Sequence, residues 1–277
     1  MKIKSMFLVQ CLFLLVFPAL VSGATVDGIK LYSSVSGNGP RNIILVHGWT
    51  CDETTWKSQV PVLSEKYRVI TLDLPGHGKS GLPGEGDLSM NLFVRAIEAV
   101  RQEVKADRVV LAGHSMGTPV IMQYARLYPQ HTIALVFVDG SASLPKGSGI
   151  DASFVEQFAG SNGLKARESM IRSMFSSATT SDMKEHILSM MLGAPEETAT
   201  GAMKAMFNPE IWKDDIFPQP VLGLYADGST TLKDENVRIR FPKLDYYEIA
   251  GTGHFLMLEK PEEFNRLLLE FLDNQDY

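Results

Sequence analysis

Short apolar runs rich in Val, Ile and Leu recur along the chain and alternate with longer segments of helical periodicity. Continuous apolar runs of this length are typical of strands that are buried on both faces of a parallel sheet. The predicted strands are Ile43–His47, Arg68–Leu72, Arg108–Ala112, Ile133–Val138, Val221–Tyr225 and Leu244–Ile249. The predicted helices are Thr54–Lys66, Met90–Val104, Met116–Leu127 and Pro261–Asn274. This alternation predicts an α/β fold with a doubly wound, mostly parallel sheet.

The alternation is interrupted between residues 141 and 218, where no strand is predicted. This interval has helix-like spacing and is rich in Met and Phe. An insertion with its own helices after a sheet strand predicts a helical cap over the strand ends, although Met and Phe also fill ordinary cores. We therefore divide the chain into a first core part at residues 24–140, a helical cap at 141–218 and a second core part at 219–277.

Residues 1–23 have the pattern of a secretory signal peptide. Two lysines precede an apolar run at residues 6–21, which is shorter than the roughly 20 apolar residues of a membrane-spanning helix. We expect cleavage between Gly23 and Ala24, export to the periplasm or the cell exterior, and no stable membrane anchor. The remaining chain is expected to begin with an antiparallel hairpin at Thr25–Ser36, with Asp27-Gly28 as its turn.

The charge balance argues against nucleic acid as a partner. The chain has 26 basic and 32 acidic residues, a formal net charge of −6. Loss of the signal peptide removes two lysines and makes the net charge −8. An acidic chain without a block of Lys and Arg is poorly suited to phosphate contacts. After cleavage Cys51 is the one remaining cysteine, so we expect no internal disulfide and interpret it as an incidental free thiol rather than a nucleophile.

Residues Val109–Gly117 combine a buried-strand run, a G-x-S-x-G motif and the start of a helical pattern. A sharp turn from strand to helix would lift the Ser115 hydroxyl above the sheet, and Gly113 and Gly117 would leave room for close backbone approach. The N-terminus of the following helix would point free N–H groups at a developing oxyanion. Ser115 is therefore the predicted nucleophile.

A second strand end supplies a predicted partner for this turn. The strand at residues 43–47 is followed by Gly48 and Trp49 in a tight turn, which would place the Trp49 amide beside the nucleophile. The Trp49 and Met116 amides would then form an oxyanion hole, in which each donor is worth on the order of 2.7–4 kcal/mol. We expect His47 to brace this loop rather than to act as a base.

His254 is the predicted general base. It lies between glycines in Gly251–Phe255, directly after the last predicted strand, where a loop could deliver its imidazole to Ser115. The remaining histidines lie in glycine turns, in the serine motif or in helix-flanking sequence. No pair of histidines has metal-ligand spacing, so neither a metal site nor a cofactor is expected.

These motifs resemble those of the α/β-hydrolase superfamily over essentially the whole chain after the signal peptide. The matching segments are His47–Trp49, Asp73–Ser80 with its D-x-x-G-x-G-x-S pattern, Gly113–Gly117, Gly253–Phe255 and Glu259–Glu262. The order Ser, acid, His along the chain is also the order of that family. The resemblance implies an α/β-hydrolase fold with a single inserted helical cap and a serine-esterase-like site.

The resemblance leaves two positions open for the acid of the triad. The family usually places the acid shortly after the strand predicted at Val221–Tyr225, in a pattern like G-x-x-D. Here Ser229 stands at that position and Asp227 comes slightly early. Some family members carry the acid after the preceding strand, where this chain has Asp139. We favour Asp139 and retain Asp227 as the alternative acid.

The predicted activity is hydrolysis of a small-molecule carboxylic ester or lactone with a hydrophobic group, through an acyl-enzyme on Ser115. A serine nucleophile argues against epoxide hydrolase and dehalogenase chemistry, because relatives with those activities attack with aspartate. C–C bond hydrolysis, perhydrolysis and amide hydrolysis on the same scaffold stay open as alternatives. A non-catalytic ligand-binding protein is a further alternative, although it would not need both Ser115 and His254.

Overall fold

The main sheet holds eight strands in the described part of the chain. The computed structural model describes residues 19–21, 23–84, 88–143, 152–229, 231 and 235–275. The sheet strands are β1 (Ala19–Val21), β4 (Ser33–Ser36), β5 (Asn42–Val46), β6 (Arg68–Leu72), β7 (Val109–His114), β8 (Thr132–Val138), β9 (Val221–Ala226) and β10 (Leu244–Ile249), and β2 (Thr25–Val26) and β3 (Ile29–Lys30) form a separate pair. The order is β1-β4-β6-β5-β7-β8-β9-β10, parallel from β6 to β10 and antiparallel at β1 and β4.

The central strands are buried on both faces, as their composition predicts. Every residue of β7 and β8 is buried, and all of β5 except Asn42. Parallel strands of this kind carry apolar side chains on both faces because helices cover both sides of the sheet. The predicted α/β fold is therefore confirmed.

Ten α-helices accompany the sheet in the described ranges. They are α1 (Val60–Leu63), α2 (Met90–Glu103), α3 (Gly117–Leu127), α4 (Ala152–Glu156), α5 (Gly163–Ser173), α6 (Ser181–Leu192), α7 (Glu196–Met206), α8 (Glu235–Arg240), α9 (Leu256–Glu259) and α10 (Pro261–Asp273). Helices α4 to α7 lie between β8 and β9, so a helical cap is inserted at this point of the fold. The cap contributes buried side chains such as Ile171, Ile187 and Met203 to the same apolar core as the sheet.

One predicted helix is wrong. Thr54–Lys66 is not continuous but forms a 3₁₀ turn at Glu53–Trp56 and, separately, the single turn α1. Pro61 explains the break, since it has no N–H and its ring would clash with the carbonyl four residues earlier in a continuous helix. It is tolerated at the start of α1, where the N–H has no partner inside the helix.

The antiparallel hairpin predicted at Thr25–Ser36 forms only over its first part. Asp27 and Gly28 both have positive φ, 50° and 81°, which suits the tight turn between β2 and β3. Ser33–Ser36, predicted as part of that hairpin, instead pairs with β6 in the main sheet. Of the predicted signal peptide, residues 1–18 and 22 lie outside the described residues, and residues 19–21 pair with β4 at the edge of the sheet.

Candidate active site

Ser115 lies on a strained turn between β7 and α3. Its φ is +52°, a conformation that side chains other than glycine rarely adopt. The turn is tight: a Cβ at Gly113 would lie 2.3 Å from the Gly117 carbonyl oxygen, and one at Gly117 would lie 2.6 Å from the Val46 oxygen. The Ser115 amide donates to the Val138 carbonyl (2.8 Å), which ties the turn to the neighbouring strand. The two glycines of the motif are therefore required by close backbone approach.

Two backbone amides, one in the loop after β5 and one in the serine turn, have no partner among the described residues. Neither the Trp49 N–H nor the Met116 N–H donates a hydrogen bond to any residue that the structure describes, although both residues are buried. Most buried N–H groups are paired, so two unpaired ones in one place mark a site for an acceptor from outside the chain. The Ser115 Cβ would lie only 3.1 Å from a Cβ at Gly48, which shows how closely the loop after β5 approaches the serine turn.

His254 and Asp139 form a direct pair. The His254 Nδ1 lies 2.6 Å from the Asp139 Oδ2, and the other carboxylate oxygen accepts from the Ala226 amide at 3.0 Å. Burial raises the pKa of Asp139, but the hydrogen bond and charge interaction with His254 outweigh it, and the net pKa is lowered. An ionised carboxylate can only accept, so Nδ1 of His254 carries the proton and Nε2 is free to take one.

Asp227 lies elsewhere in the structure. Its exposed carboxylate accepts from the Gly251 amide at 3.0 Å, so it closes the turn that precedes the His254 loop. The structure thus brings Asp139, and not Asp227, to the imidazole. The carboxylate that pairs with His254 therefore comes from the residue that follows β8, and not from the residue that follows β9.

Ser115 and His254 line one small cavity beneath the cap. Its volume is about 10 Å³, which is room for about one water molecule and far below the roughly 300–1,000 Å³ of most ligand pockets. Within the described residues, the two side chains share this cavity without a hydrogen bond between them, and such bonds often form only once a substrate is bound. Most of the remaining lining is apolar. The lining residues are Gly48, Trp49, Cys51, His114, Ser115, Met174, Met191, His254 and Phe255.

His47 braces the loop that carries Trp49. Its Nδ1 donates to the Gly48 carbonyl (2.8 Å), and its Nε2 accepts from the Leu74 amide (3.0 Å). Both ring nitrogens are therefore used by a neutral imidazole, and burial lowers the pKa of His47 to about 4. The side chain links the loop after β5 to the loop after β6.

The loop after β6, residues Asp73–Ser80, is organised by its first carboxylate. Asp73 is buried and accepts from the amides of Glu53 and Lys79, both at 2.8 Å. Burial raises the pKa of Asp73 to about 6, although both amide hydrogen bonds favour the ionised form. In the same loop His77 is fully buried, donates from Nδ1 to the Pro75 carbonyl and has a pKa lowered by burial to about 3.

Sequence reasoning missed the contacts that hold the His254 loop. The Nε2–H of buried His114 donates to the His254 carbonyl at 2.9 Å, and burial lowers the pKa of His114 to about 3, so its ring stays neutral. The His254 amide donates to the Met174 carbonyl in the cap at 3.2 Å. Glu259 accepts from the Gly253 amide and from the Thr179 hydroxyl of the cap. Residue spacing gives no signal for these bonds, since each joins segments that are distant in the chain or is carried by backbone atoms.

Cys51 contacts the same cavity but is not set up as a nucleophile. The side chain is buried, and burial raises the pKa of its thiol to about 12. A thiol that stays protonated at neutral pH is a weak nucleophile.

Beyond the cavity, no three His, Cys, Asp or Glu side chains are placed to hold a metal ion in the described ranges. Each helix described there is too short or too polar to cross a bilayer.

Relatives of this chain include proteins with different activities. It is 26% identical over 246 residues to the dihydrolipoyllysine-residue acetyltransferase component of the acetoin cleaving system of Pseudomonas putida, covering 86% of this chain and 65% of that protein. It is 25% identical over 251 residues to the pimeloyl-(acyl-carrier protein) methyl ester esterase of Aeromonas hydrophila subsp. hydrophila, covering 85% of this chain and 96% of the esterase. The chain therefore spans just under two thirds of the Pseudomonas protein.

Solved structures share the fold. The crystal structure of the bromoperoxidase of Bacillus anthracis matches with a TM-score of 0.79 and 24% identity, covering 93% of this chain and 100% of that chain. The sequence profile described as "Alpha/beta hydrolase family" matches residues 43–267, from β5 to α10. The chain thus belongs to the alpha/beta hydrolase family.

Proposed function

We propose that this chain is a serine hydrolase that cleaves a small carboxylic ester or lactone with a hydrophobic group. The observation that carries the proposal is the convergence of three features around Ser115. These are the strained Ser115, the His254 imidazole paired with Asp139, and the unpaired amides of Trp49 and Met116. A nucleophile, an oriented base and two oxyanion donors are the parts that acyl transfer requires.

The first half of the reaction forms an acyl-enzyme. His254 Nε2 takes the proton from the Ser115 hydroxyl while the serine oxygen bonds to the substrate carbonyl carbon. The carbonyl electron pair moves onto its oxygen, which accepts from the Trp49 and Met116 amides. The intermediate collapses as the bond to the leaving oxygen breaks, and His254 returns its proton to that oxygen.

The second half releases the acid. A water molecule gives a proton to His254 Nε2 and bonds to the acyl carbon, and the same two amides stabilise the second oxyanion. The bond to the serine oxygen then breaks and His254 protonates Ser115, which restores the starting state. Throughout, Asp139 holds the imidazole tautomer and stabilises the imidazolium, and its lowered pKa keeps it ionised.

The cavity lining supports an uncharged, apolar group next to the scissile bond. Trp49, Met174, Met191 and Phe255 surround the serine, and neither Lys nor Arg contributes to the described lining. Apolar lining with a few convergent polar groups is typical of small-molecule sites. The esterase activity named for the Aeromonas relative supports hydrolysis of an ester, whereas the Pseudomonas relative is named for a different reaction.

A labelling experiment tests the proposal. Fluorophosphonate probes react covalently with activated serines, so the wild-type protein is expected to be labelled and the Ser115→Ala variant is not. Removal of the nucleophile is expected to reduce kcat on p-nitrophenyl esters by roughly 10⁴- to 10⁶-fold. Absence of labelling on folded wild-type protein would favour a non-catalytic ligand-binding protein.

Substrates of graded structure test the reaction class. We expect turnover of p-nitrophenyl esters with short apolar acyl chains or of small lactones, measured as kcat/KM against chain length. Labelling at Ser115 combined with cleavage of anilides or of C–C bonded diketones, and not of esters, would instead indicate amide or C–C bond hydrolysis.

A further inference from the structure

The side chain of Trp49 reaches into the cap. Its indole Nε1–H donates to the backbone carbonyl of Ala199 in α7 at 2.8 Å, across 150 residues of sequence. The bond is buried, and the indole ring lies 5.4 Å from the ring of Phe158, another cap residue, at an angle of 54°. One residue of the core loop is thus held by two contacts to the cap.

The acceptor of this bond has a fixed position. Ala199 is the fourth residue of α7, and its side chain is fully buried. A carbonyl inside a helix moves only with the helix, so it offers the indole a rigid partner. The Thr198 hydroxyl, on the same helix, donates to the Gly76 carbonyl of the core at 2.7 Å, which shows that this turn of α7 is docked directly on the core.

The loop that carries Trp49 needs such support. Thr50, the next residue, has a φ of +54°, and positive φ at a residue other than glycine persists only where surrounding contacts hold it. The Trp49 amide itself is unpaired among the described residues, so no intramolecular hydrogen bond fixes its direction. The indole has only two side-chain torsions. Its hydrogen bond to Ala199 and its contact with Phe158 therefore restrain the backbone to which it is attached.

We propose that the Trp49 indole is a positioning group through which the docked cap holds the Trp49 amide in place as an oxyanion donor. The inference rests on the proposed serine hydrolase function and deepens it. The cap would then do more than cover the cavity: the oxyanion hole is complete only while α7 sits on the core. Small displacements of a catalytic donor are costly, since a misplacement of about 1 Å can reduce the rate on the order of 100-fold.

The chain supplies matched controls. Thr132→Val removes the hydrogen bond from the Thr132 hydroxyl to the Tyr128 carbonyl at 3.1 Å, at the start of β8, which involves neither α7 nor the Trp49 loop. Trp212→Phe removes the indole hydrogen bond from Nε1 to the Met206 carbonyl at 2.9 Å. This bond joins the last residue of α7 to the short 3₁₀ turn that follows it in the cap. Trp49→Phe removes the Ala199 bond but keeps an aromatic ring against Phe158 and keeps the backbone amide.

The experiment compares the three variants with the wild type. For each protein, kcat and KM are measured on p-nitrophenyl acetate, and Tm is measured by calorimetry. The inhibition constant Ki is measured for phenylboronic acid, because its adduct with Ser115 places an oxygen at the oxyanion position. For Trp49→Phe we expect kcat to fall about 10-fold with little change in KM, and the Ki to rise by a similar factor, because the donor acts on the charged oxygen. Thr132→Val and Trp212→Phe are expected to lower Tm while kcat and Ki stay within about twofold of wild type, since neither bond joins α7 to the core or reaches the donor.

A second variant keeps the test decisive if Trp49→Phe does not fold. Phe158→Leu loosens the indole from the cap side and leaves Trp49 intact, and it is expected to lower kcat in the same direction by about threefold. Kinetics of every variant are taken at a temperature where circular dichroism shows the folded state. The positioning role is overturned if Trp49→Phe and Thr132→Val lower kcat equally, or if folded Trp49→Phe and Phe158→Leu both match wild type. Wild-type protein that neither turns over the ester nor takes the fluorophosphonate label would instead contradict the proposed function itself.

Discussion

Backbone strain in this protein is concentrated around Ser115. Three residues other than glycine with positive φ lie at the site, Thr50 (+54°), Ser115 (+52°) and Asp139 (+45°). Each such conformation costs on the order of 1–3 kcal/mol and must be held by its surroundings. The sheet provides the holding contacts, because the Ser115 amide donates to the Val138 carbonyl and the Asp139 amide donates to the Leu224 carbonyl. The strained backbone held in this way sets the directions of the Ser115 and Asp139 side chains.

Asp139 is the carboxylate on which the imidazole orientation depends. In Asp139→Asn the amide offers both a donor and an acceptor, so the Nδ1–H tautomer of His254 is no longer enforced and the imidazolium loses its counter-charge. We expect kcat on p-nitrophenyl esters to fall by about 10³- to 10⁴-fold with KM changed little. Steady-state kinetics of the purified variant check this value.

Asp227→Asn is the matched control for that substitution. The asparagine side-chain oxygen can still accept from the Gly251 amide, and the exposed site imposes little desolvation. The expected loss of kcat is therefore less than about 10-fold. A larger loss for Asp227→Asn than for Asp139→Asn would assign the acid to the other position.

At the scale of elements, local patterning predicted the strands well. Arg68–Leu72 has the predicted bounds because a largely apolar run reports burial directly, and Leu244–Ile249 has them although only Leu244 and Ile249 are buried. The predicted helix Thr54–Lys66 is wrong because Pro61 interrupts it, whatever the periodicity of its apolar residues. β4 (Ser33–Ser36) pairs with β6 in the main sheet, which was not predicted. The residues of one strand do not encode which other strand it pairs with.

The site was predictable where chemistry follows a strand end. Ser115 and His254 each sit in a glycine-flanked turn directly after a strand, so their neighbourhood follows from the parallel order of β7 and β10 in one sheet. The sequence favours Asp139 but does not exclude Asp227, because both follow strands at the same sheet edge and differ only in how far the chain runs beyond the strand. The bond from Trp49 to Ala199 depends on how the cap docks, which residue spacing does not report.

Glu259 joins three elements and is expected to matter for catalysis. From α9 its carboxylate accepts from the Gly253 amide, next to His254, and from the Thr179 hydroxyl of the cap. In Glu259→Gln one acceptor oxygen becomes an NH₂ group that faces a donor. We expect kcat/KM to fall about 10-fold through displacement of the imidazole, together with a loss of about 1–2 kcal/mol in the free energy of unfolding.

Kinetics and urea denaturation of Glu259→Gln check both effects. Glu262→Gln, at an exposed position in the first turn of α10, makes the same chemical change without contacting the loop. It is expected to change the free energy of unfolding by less than about 1 kcal/mol, from the helix dipole alone, and to leave kcat/KM as in wild type. Equal kinetic effects in the two variants would contradict a role for Glu259 in holding the His254 loop.

For the whole molecule, buried neutral histidines couple folding to pH. Burial lowers the pKa of His47 to about 4 and those of His77 and His114 to about 3, from an ordinary value of 6.5. Between these values the unfolded chain binds protons that the folded protein excludes, so each histidine makes the free energy of unfolding fall as pH decreases below 6.5. Asp73 acts in the opposite direction, because its pKa is raised from 3.8 to about 6 and the folded state binds the extra proton.

His77→Gln isolates one of these contributions. Glutamine keeps an N–H that can donate to the Pro75 carbonyl but has no charge to gain, and the His77 Nε2 that it replaces has no hydrogen-bond partner among the described residues. Between about pH 4 and 6 the wild-type free energy of unfolding should therefore fall more steeply on acidification than that of the variant, by about 1.4 kcal/mol per pH unit, the value of one proton. Urea denaturation of both proteins at a series of pH values measures the difference, from which the titration of all shared groups, Asp73 included, cancels. Two parallel curves would show that His77 is protonated in the folded protein as readily as in the unfolded chain. That result would require a polar or hydrated environment around its ring in place of the ring contacts with Phe93 and His47.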